Sequence, residues 1–174
     1  GLDDIRPFCF RQGAMSLYAD LRVQTALKQR FAYIFETENK YPGAPNVVLN
    51  TVDKTTGFDL GGKTVTPIEV MHNQWPVLGY RVDNFAYLTD VKTITLEERK
   101  KLKGLDVLVL NALRIDPHPM HLNLEEALQL VAEIQPKRAY FTHISHLLGF
   151  HENVSEQLPG NVFLAYDNLQ IESE

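Results

Sequence analysis

The stretch that decides the fold is EVMHNQWPVLGYRVDNFAYLTD, residues 69–90. Its apolar residues form short runs rich in β-branched and aromatic side chains, which is typical of strands. Gly79–Val82 and Phe85–Thr89 are predicted to form a hairpin with a two-residue Asp-Asn turn. His72 and Asp90 each follow the end of a predicted strand, so a sheet edge carries an imidazole and a carboxylate.

Outward from this stretch, the pattern changes from successive strands to strands that alternate with helices. A buried strand is predicted at 105–110 and a helix at 124–134, with Asn123 as its N-cap and Pro136 beyond its end. The other predicted elements are strands at 15–19, 47–49, 64–70, 139–142, 162–166 and 169–171, a helix at 21–35 capped by Asp20, and a helix with a Thr95–Glu98 capping box. This order predicts an α/β (α+β) protein with helices outside a two-sheet sandwich.

The composition is that of an ordinary globular domain. The chain has 174 residues, 44% hydrophobic and 22% charged, which predicts a single domain over 1–174 with a substantial core. Its net charge of −5 argues against a surface that binds nucleic acid through bulk positive charge. The one cysteine, Cys9, excludes an intramolecular disulfide and a Cys-rich zinc site. The sequence shows no signal peptide and no apolar run of roughly 20 residues, which predicts a cytoplasmic protein without a membrane partner.

Three groups that bind transition metals lie just past predicted strand ends: His72, Asp90 and His143. A side chain in that position is held on a rigid edge with its polar end free. Imidazole nitrogen and carboxylate oxygen are ligands for Zn²⁺ or Mn²⁺. Each residue alone has a plainer interpretation, since a lone histidine is commonly a surface or hydrogen-bonded residue and an aspartate is common in turns.

The order of the motifs resembles that of the metallo-β-lactamase superfamily. The segment from His72 to Asp90 resembles its middle motifs, and FTHISH, residues 141–146, resembles its late histidine motif. AYDNL, residues 165–169, resembles the closing strand, although Gly is more usual than Asn168. HPMHLNL, residues 118–124, resembles a phosphodiesterase branch. That branch holds transfer-RNA 3′-processing nucleases and the cyclic-phosphate phosphodiesterase of phosphonate breakdown.

The resemblance implies a site with two divalent transition-metal ions, Zn or Mn. His72 becomes a ligand of one ion and His143 a ligand of the other. Asp90 bridges both ions, because a carboxylate has two oxygens to share. His121 is implied as the catalytic group, either a general acid or a donor to a phosphate oxygen. Without the resemblance, His121 is a loop histidine beside the start of a helix.

Three further residues are candidates for roles around this site. His146 lies three residues after His143 and would orient a ligand, and His118 belongs to the phosphodiesterase-like segment. Arg114 follows the strand at 105–110 and would contact an anionic substrate. A surface arginine is the plainer interpretation of Arg114.

The opening GLDDIRPF, residues 1–8, resembles the stretch that follows the family's His-x-His-x-Asp-His signature. The sequence does not contain that signature. The resemblance therefore implies an αββα sandwich from which the N-terminal strands and four metal ligands are missing. It predicts weak metal binding by this chain alone. An open strand edge and an uncovered apolar face predict a homodimer or marginal stability.

The function that the resemblance implies is metal-dependent hydrolysis of a small or cyclic phosphodiester by a metal-bound hydroxide. One alternative is a transfer-RNA 3′-end endonuclease, for which no long basic arm is visible. Lactamase or thioesterase chemistry is a weaker third. An alternative of another class is an inactive truncated fragment without a complete metal site.

Overall fold

The computed structural model describes residues 1–172 and divides into two compact units. The first unit is Gly1–Asp53, and the second begins at Lys54. The elements of the first unit are, in chain order, a 3₁₀-helix (Leu2–Ile5), α1 (Arg6–Gln12), β1 (Met15–Ala19), α2 (Leu21–Arg30), α3 (Ala32–Phe35) and β2 (Val47–Thr51).

The first unit pairs β1 with β2 in parallel and carries α2 between them in sequence. Asp20 caps α2 as predicted, because its carboxylate accepts a hydrogen bond from the backbone N–H of Val23 at 2.8 Å. The predicted helix 21–35 is wrong in its length. Phe31 leaves the helical conformation, with φ −121° and ψ 41°, and separates α2 from α3. The apolar spacing continues across Phe31, so periodicity does not reveal the break.

The second unit contains a longer series of strands and helices. Its elements are β3 (Phe58–Leu60), β4 (Lys63–His72), β5 (Trp75–Val82), β6 (Phe85–Leu88), α4 (Leu96–Lys100), β7 (Val107–Asn111), α5 (Leu124–Ile134), β8 (Arg138–Thr142), a 3₁₀-helix (His146–Leu148), α6 (His151–Ser155) and β9 (Val162–Leu164). No helix within residues 1–172 is long and apolar enough to cross a membrane.

One seven-stranded sheet organises the second unit, in the order β3-β4-β5-β6-β7-β8-β9. The strands from β3 to β6 pair antiparallel, and those from β6 to β9 pair parallel. Parallel neighbours need crossover connections, and α4, α5 and α6 lie in those connections. The predicted change from a meander to strands that alternate with helices is confirmed, and so is the mixed α/β class.

The hairpin of β5 and β6 has the predicted register. Val82 pairs with Phe85 across the turn, where Asp83 has a left-handed backbone with φ 49°. Gly79 is required by a close approach of these strands. A Cβ at Gly79 would lie 2.2 Å from Leu88 Cδ2 and 2.9 Å from the carbonyl oxygen of Tyr87.

In the second unit the capping of two helices was predicted. The prediction is right for α5 and incomplete for α4. Asn123 and Glu126 form a full reciprocal capping box at the start of α5. Thr95 caps α4 through the N–H of Glu98. The carboxylate of Glu98 does not return to Thr95. It is buried and accepts instead from the N–H of Glu69 in β4 at 2.8 Å, which gives this backbone donor a partner.

The last predicted strand pair is wrong. β9 ends at Leu164, and the segment predicted as a strand at 169–171 has no strand partner. Asn168 has φ 68°, and the N–H of Leu169 bonds to the carbonyl of Tyr166 at 3.1 Å. A turn residue in the left-handed region ends pairing even where the flanking residues favour strand.

A hydrophobic core fills the second unit between its sheet and its helices. Fully buried side chains on the sheet include Ile68, Leu88, Leu110 and Phe141. From α5, Ala127, Leu130 and Val131 pack against the same cluster. A sheet packed against helices in this way gives strand ends little freedom to move.

Candidate metal centre

The strands that carry the candidate site end at the same edge of the sheet. β5 is antiparallel to both β4 and β6, and β7 and β8 are parallel to β6. The carboxyl ends of β4, β6, β7 and β8 therefore point the same way. His72 is the last residue of β4, Asp90 lies two residues beyond β6, and His143 directly follows β8. The topology explains why residues so far apart in sequence meet.

Asp90 and His143 share a backbone conformation that aims their side chains. Their φ angles are 59° and 55°, in the left-handed region. For a residue with a Cβ this conformation costs on the order of 1–3 kcal/mol and is kept where surrounding structure holds it. Asp and His adopt it more readily than most residues. Each strand thus ends in a sharp turn at the residue that carries the functional group.

His121 reaches the same place from the loop between β7 and α5. The N–H of Leu122, the next residue, bonds to the carbonyl of Val91 at 2.8 Å, and its carbonyl accepts from Leu113 at 3.0 Å. These bonds tie the loop to the turn that follows Asp90. The residue His121 is buried, with a relative exposure of 9%.

One oxygen of Asp90 lies among three imidazoles. Its Oδ1 is 4.0 Å from His72 Nε2, 3.8 Å from His121 Nδ1 and 3.7 Å from His143 Nε2. The two nitrogens Nε2 of His72 and His121 are 3.2 Å apart. The His121 ring lies 4.6 Å from the His72 ring and 4.7 Å from the His143 ring, measured between centroids.

The electrostatics of His121 favour a neutral ring. Burial disfavours the imidazolium, and His143 and His72 add repulsion, which together lower the pKa of His121 to about 4. Its Nδ1 is buried and has no hydrogen-bond partner. A buried polar atom without a partner is uncommon and requires an explanation such as an ion or a ligand.

The residues present fit a transition-metal ion. Ligand atoms of His72, Asp90 and His121 all lie within 4.8 Å of one another, and His143 contacts the same carboxylate. Neutral imidazole nitrogens with a carboxylate oxygen suit zinc and related divalent ions. The structure therefore brings together all four residues predicted as ligands or as the catalytic group. The structure places a ring nitrogen of His121 within 4.8 Å of the ligand atoms of His72 and Asp90. The sequence did not indicate this proximity, because His121 lies on a loop.

The three outer candidates lie in different surroundings. The His118 ring stacks on His121 at 5.2 Å, and burial with the nearby charge of Arg114 lowers the pKa of His118. Arg114 donates to the carbonyl oxygens of Asp116 and Pro117, so its guanidinium supports the loop. His146 is exposed at the start of the second 3₁₀-helix, and its role stays a prediction.

The fold and this cluster define a class, the hydrolytic metalloenzymes of the metallo-β-lactamase fold. The chain belongs to the β-lactamase superfamily domain family, whose model matches residues 1–144. This confirms the resemblance drawn from the motifs between His72 and His146.

Two similar proteins are more than 30% identical to the chain. A diphosphatase of the PhnP family has a crystal structure that is 37% identical, covers 100% of this chain and 66% of its own, and superposes with a TM-score of 0.89. A curated relative from Porphyromonas gingivalis (strain ATCC BAA-308 / W83), named octanoyltransferase, is 34% identical over 171 residues. Those residues are 98% of this chain and 34% of the relative, so this chain spans about a third of that protein.

A more distant structure shows the fold alone. Zn²⁺-bound PqqB from Methylobacterium extorquens is 16% identical, with a TM-score of 0.76 over 99% of this chain and 68% of its own. Its crystal structure holds zinc, so the fold accommodates this metal.

Proposed function

We propose that the protein is a metal-dependent phosphodiesterase that acts on a small or cyclic phosphodiester. The observation that carries the proposal is the Asp90 carboxylate oxygen, with three imidazole nitrogens within 4.0 Å. The similarity to a diphosphatase of the PhnP family supports phosphorus over carbon as the centre attacked. The family is hydrolytic, which supports water as the acceptor.

His72, Asp90 and His143 would serve as ligands of two divalent ions, zinc or manganese. When bound, such ions supply positive charge for a phosphate and lower the pKa of a water molecule. The chain's own contribution is geometry. Strand ends and two left-handed turns fix the ligand directions before metal arrives.

His121 would contact the substrate by donating a hydrogen bond. A neutral imidazole donates through one ring nitrogen and accepts through the other. With its pKa lowered to about 4, His121 is neutral near pH 7. This favours an N–H donor to a phosphoryl oxygen over a charged general acid. The stacked His118 would limit rotation of the His121 ring.

A diphosphate is the second candidate substrate, because the similar crystal structure is of a diphosphatase. Both candidates present a phosphorus centre with a negative charge, so the same residues would serve. Transfer-RNA ends receive less support, since the net charge is −5. Octanoyl transfer describes a relative of which this chain covers only 34%. The assay described below distinguishes hydrolysis of an octanoyl thioester from hydrolysis of a phosphorus substrate.

The test uses the full-length protein with three substrates: a bis-aryl phosphodiester, a diphosphate diester and an octanoyl thioester. We expect turnover of a phosphorus substrate that a chelator abolishes and added zinc or manganese restores. Thioester hydrolysis alone would overturn the proposal. No activity with any substrate despite bound metal would also overturn it.

A substitution at His121 separates its two roles. His121→Ala should lower kcat about a hundredfold, which is typical for loss of one charge-stabilising donor, and leave the metal content unchanged. Metal content is measured by elemental analysis. If His121→Ala loses metal, His121 is a ligand and the donor role is wrong. His151→Ala, at an exposed histidine in α6, is the matched control.

A further inference from the structure

We propose that Asn111 is a positioning residue that fixes the turn of Asp90 and so sets where its carboxylate lies. Asn111 ends β7, and its side chain is fully buried. Its Oδ1 accepts a hydrogen bond from the N–H of Val91 at 2.7 Å, and its Nδ2 donates to the carbonyl of Val91 at 3.1 Å. One amide group thus pairs with both backbone groups of the residue that follows Asp90.

The turn needs such a partner. Asp90 holds a left-handed backbone, a conformation that persists only where neighbouring structure over-determines it. Val91 is fully buried, so without Asn111 its N–H would lose a partner that water cannot replace. The side chain of Asn111 acts here as a neighbouring strand would, because an amide presents a donor and an acceptor side by side.

The same carbonyl connects two groups of the metal centre. Besides Asn111, the carbonyl oxygen of Val91 accepts the N–H of Leu122, which follows His121. Displacement of Val91 would therefore move both the Asp90 turn and the His121 loop. Both of these hydrogen bonds of the Asn111 side chain go to the backbone of Val91. Its effect on the site passes through the backbone of Val91.

A second strand-end residue shows that the end of β7 also reaches the His143 turn. The N–H of Ala112 bonds to the carbonyl of Thr142 at 3.1 Å, and the carbonyl of Leu113 accepts from the N–H of Ser145 at 2.9 Å. These links are made by backbone and survive substitution of Asn111. Replacing Asn111 therefore releases the Asp90 side of the site and leaves the His143 side tied.

The test is Asn111→Leu in the full-length protein, compared with Leu108→Ala as a matched control. Leu108 is fully buried in the same strand, so its truncation lowers stability without removing the Val91 bonds. Zinc affinity is measured by competition with a chromophoric chelator, and Co²⁺ is substituted to record its absorption spectrum. We expect Asn111→Leu to bind zinc at least about tenfold more weakly, the range for outer groups that orient ligands, with a changed cobalt spectrum. Unchanged affinity and spectrum would overturn the proposal.

A measurement on the unsubstituted protein guards against a variant that fails to fold. In the metal-free protein, the amide of Val91 should exchange hydrogen as slowly as the amide of Val109 in β7. Rapid exchange at Val91 would overturn the proposal directly. The inference rests on the proposed function only for the metal that Asp90 holds. Neither measurement uses a substrate, so a failed phosphodiesterase assay does not contradict the role of Asn111. The hydrogen-exchange measurement also remains informative if the protein binds no metal.

Discussion

The two units of the chain differ in what their sequences bury. Within Gly1–Asp53, the buried hydrophobic residues are Cys9, Ala19, Ile34, Ala44 and Val52. The hydrophobic cluster that extends from Ile68 to Leu164 lies wholly in the second unit. Each unit has a capped helix and parallel strands. The difference therefore lies in the core and not in the kinds of element.

Ionisable side chains follow the same division, whereas each unit buries neutral amides, among them Gln24 in the first unit and Asn111 in the second. In the first unit, Tyr33 donates to Asp3 at 2.7 Å and Arg6 pairs with the same carboxylate, a cluster that remains open to solvent. In the second unit, His121 and Asn111 are buried beside strand ends. A site that must hold ions in fixed geometry needs side chains whose neighbours prevent movement. The comparison indicates that the second unit, and not the first, has the rigid surroundings that the candidate metal centre needs.

The largest expected effect comes from Asp90→Asn. Replacing the carboxylate removes the charge that faces three imidazoles, and an interaction of several kcal/mol with metal corresponds to about a thousandfold in rate. We expect activity to fall by that order and metal content to fall as well. Asp20→Asn, which keeps a helix cap in the first unit, is the control. Equal losses in both variants would remove the distinction between the units.

Stability should also distinguish the two cores. Leu110→Ala removes a fully buried side chain of the main cluster, and Ile34→Ala removes one from the first unit. Both substitutions belong to a class that costs about 2–5 kcal/mol. We expect Leu110→Ala to lie near the upper value, because its dense surroundings relax less. Urea denaturation measures both. A larger loss for Ile34→Ala would contradict the comparison.

The motifs at strand ends were predictable because side chains and strand boundaries are local properties. His72, Asp90 and His143 follow runs of β-branched and aromatic residues, and the structure places them at one edge. The absence of strand pairing at 169–171 and the break at Phe31 were not predictable, because they depend on the backbone angles of single residues, Asn168 and Phe31. Asn111 was also missed. Its only local signal is an amide at the end of the buried run VLVLN.

The position of His121 shows a second limit of the sequence. The segment HPMHLNL does not follow a predicted strand end that would orient the His121 side chain. The predicted role of His121 therefore rested on the family resemblance alone. Its place beside Asp90 depends on bonds between Leu122, Val91 and Leu113, which join three separate parts of the chain. Local hydrophobic periodicity does not predict such long-range hydrogen bonds.

Acid should weaken the second unit through His121. Burial, with repulsion from His143 and His72, lowers the pKa of His121 from its ordinary value of 6.5 to about 4 in the folded chain, so the unfolded state binds more protons between these values. The contribution of His121 to the free energy of unfolding is then fully present above about pH 6.5 and is lost as the pH decreases toward about 4. We expect a loss of about 1–2 kcal/mol, below the value that the full pKa shift would give, because solvent screens the charge in part.

The measurement is denaturant unfolding of the metal-free protein at several pH values, with His121→Gln as the comparison. Glutamine does not titrate, so the variant should lose this part of the pH dependence. The pKa of Asp3 in the first unit is held low by the Tyr33 hydrogen bond, so its contribution persists to lower pH. An unchanged pH profile in His121→Gln would show that other groups cause the loss.

The smallest effects should come from the helix caps, and they sharpen the comparison further. Asp20 accepts one bond at the start of α2. Asn123 caps α5, is buried, and also donates to the carbonyl of Ile115 at 2.9 Å. Loss of a cap costs about 1 kcal/mol, and loss of the bond to the Ile115 carbonyl adds to that cost. Asn123→Ala should therefore destabilise by more than Asp20→Ala, close to about 2 against about 1 kcal/mol. Thermal unfolding of the two variants measures the difference, and equal shifts in Tm would mean that the bond to Ile115 contributes nothing.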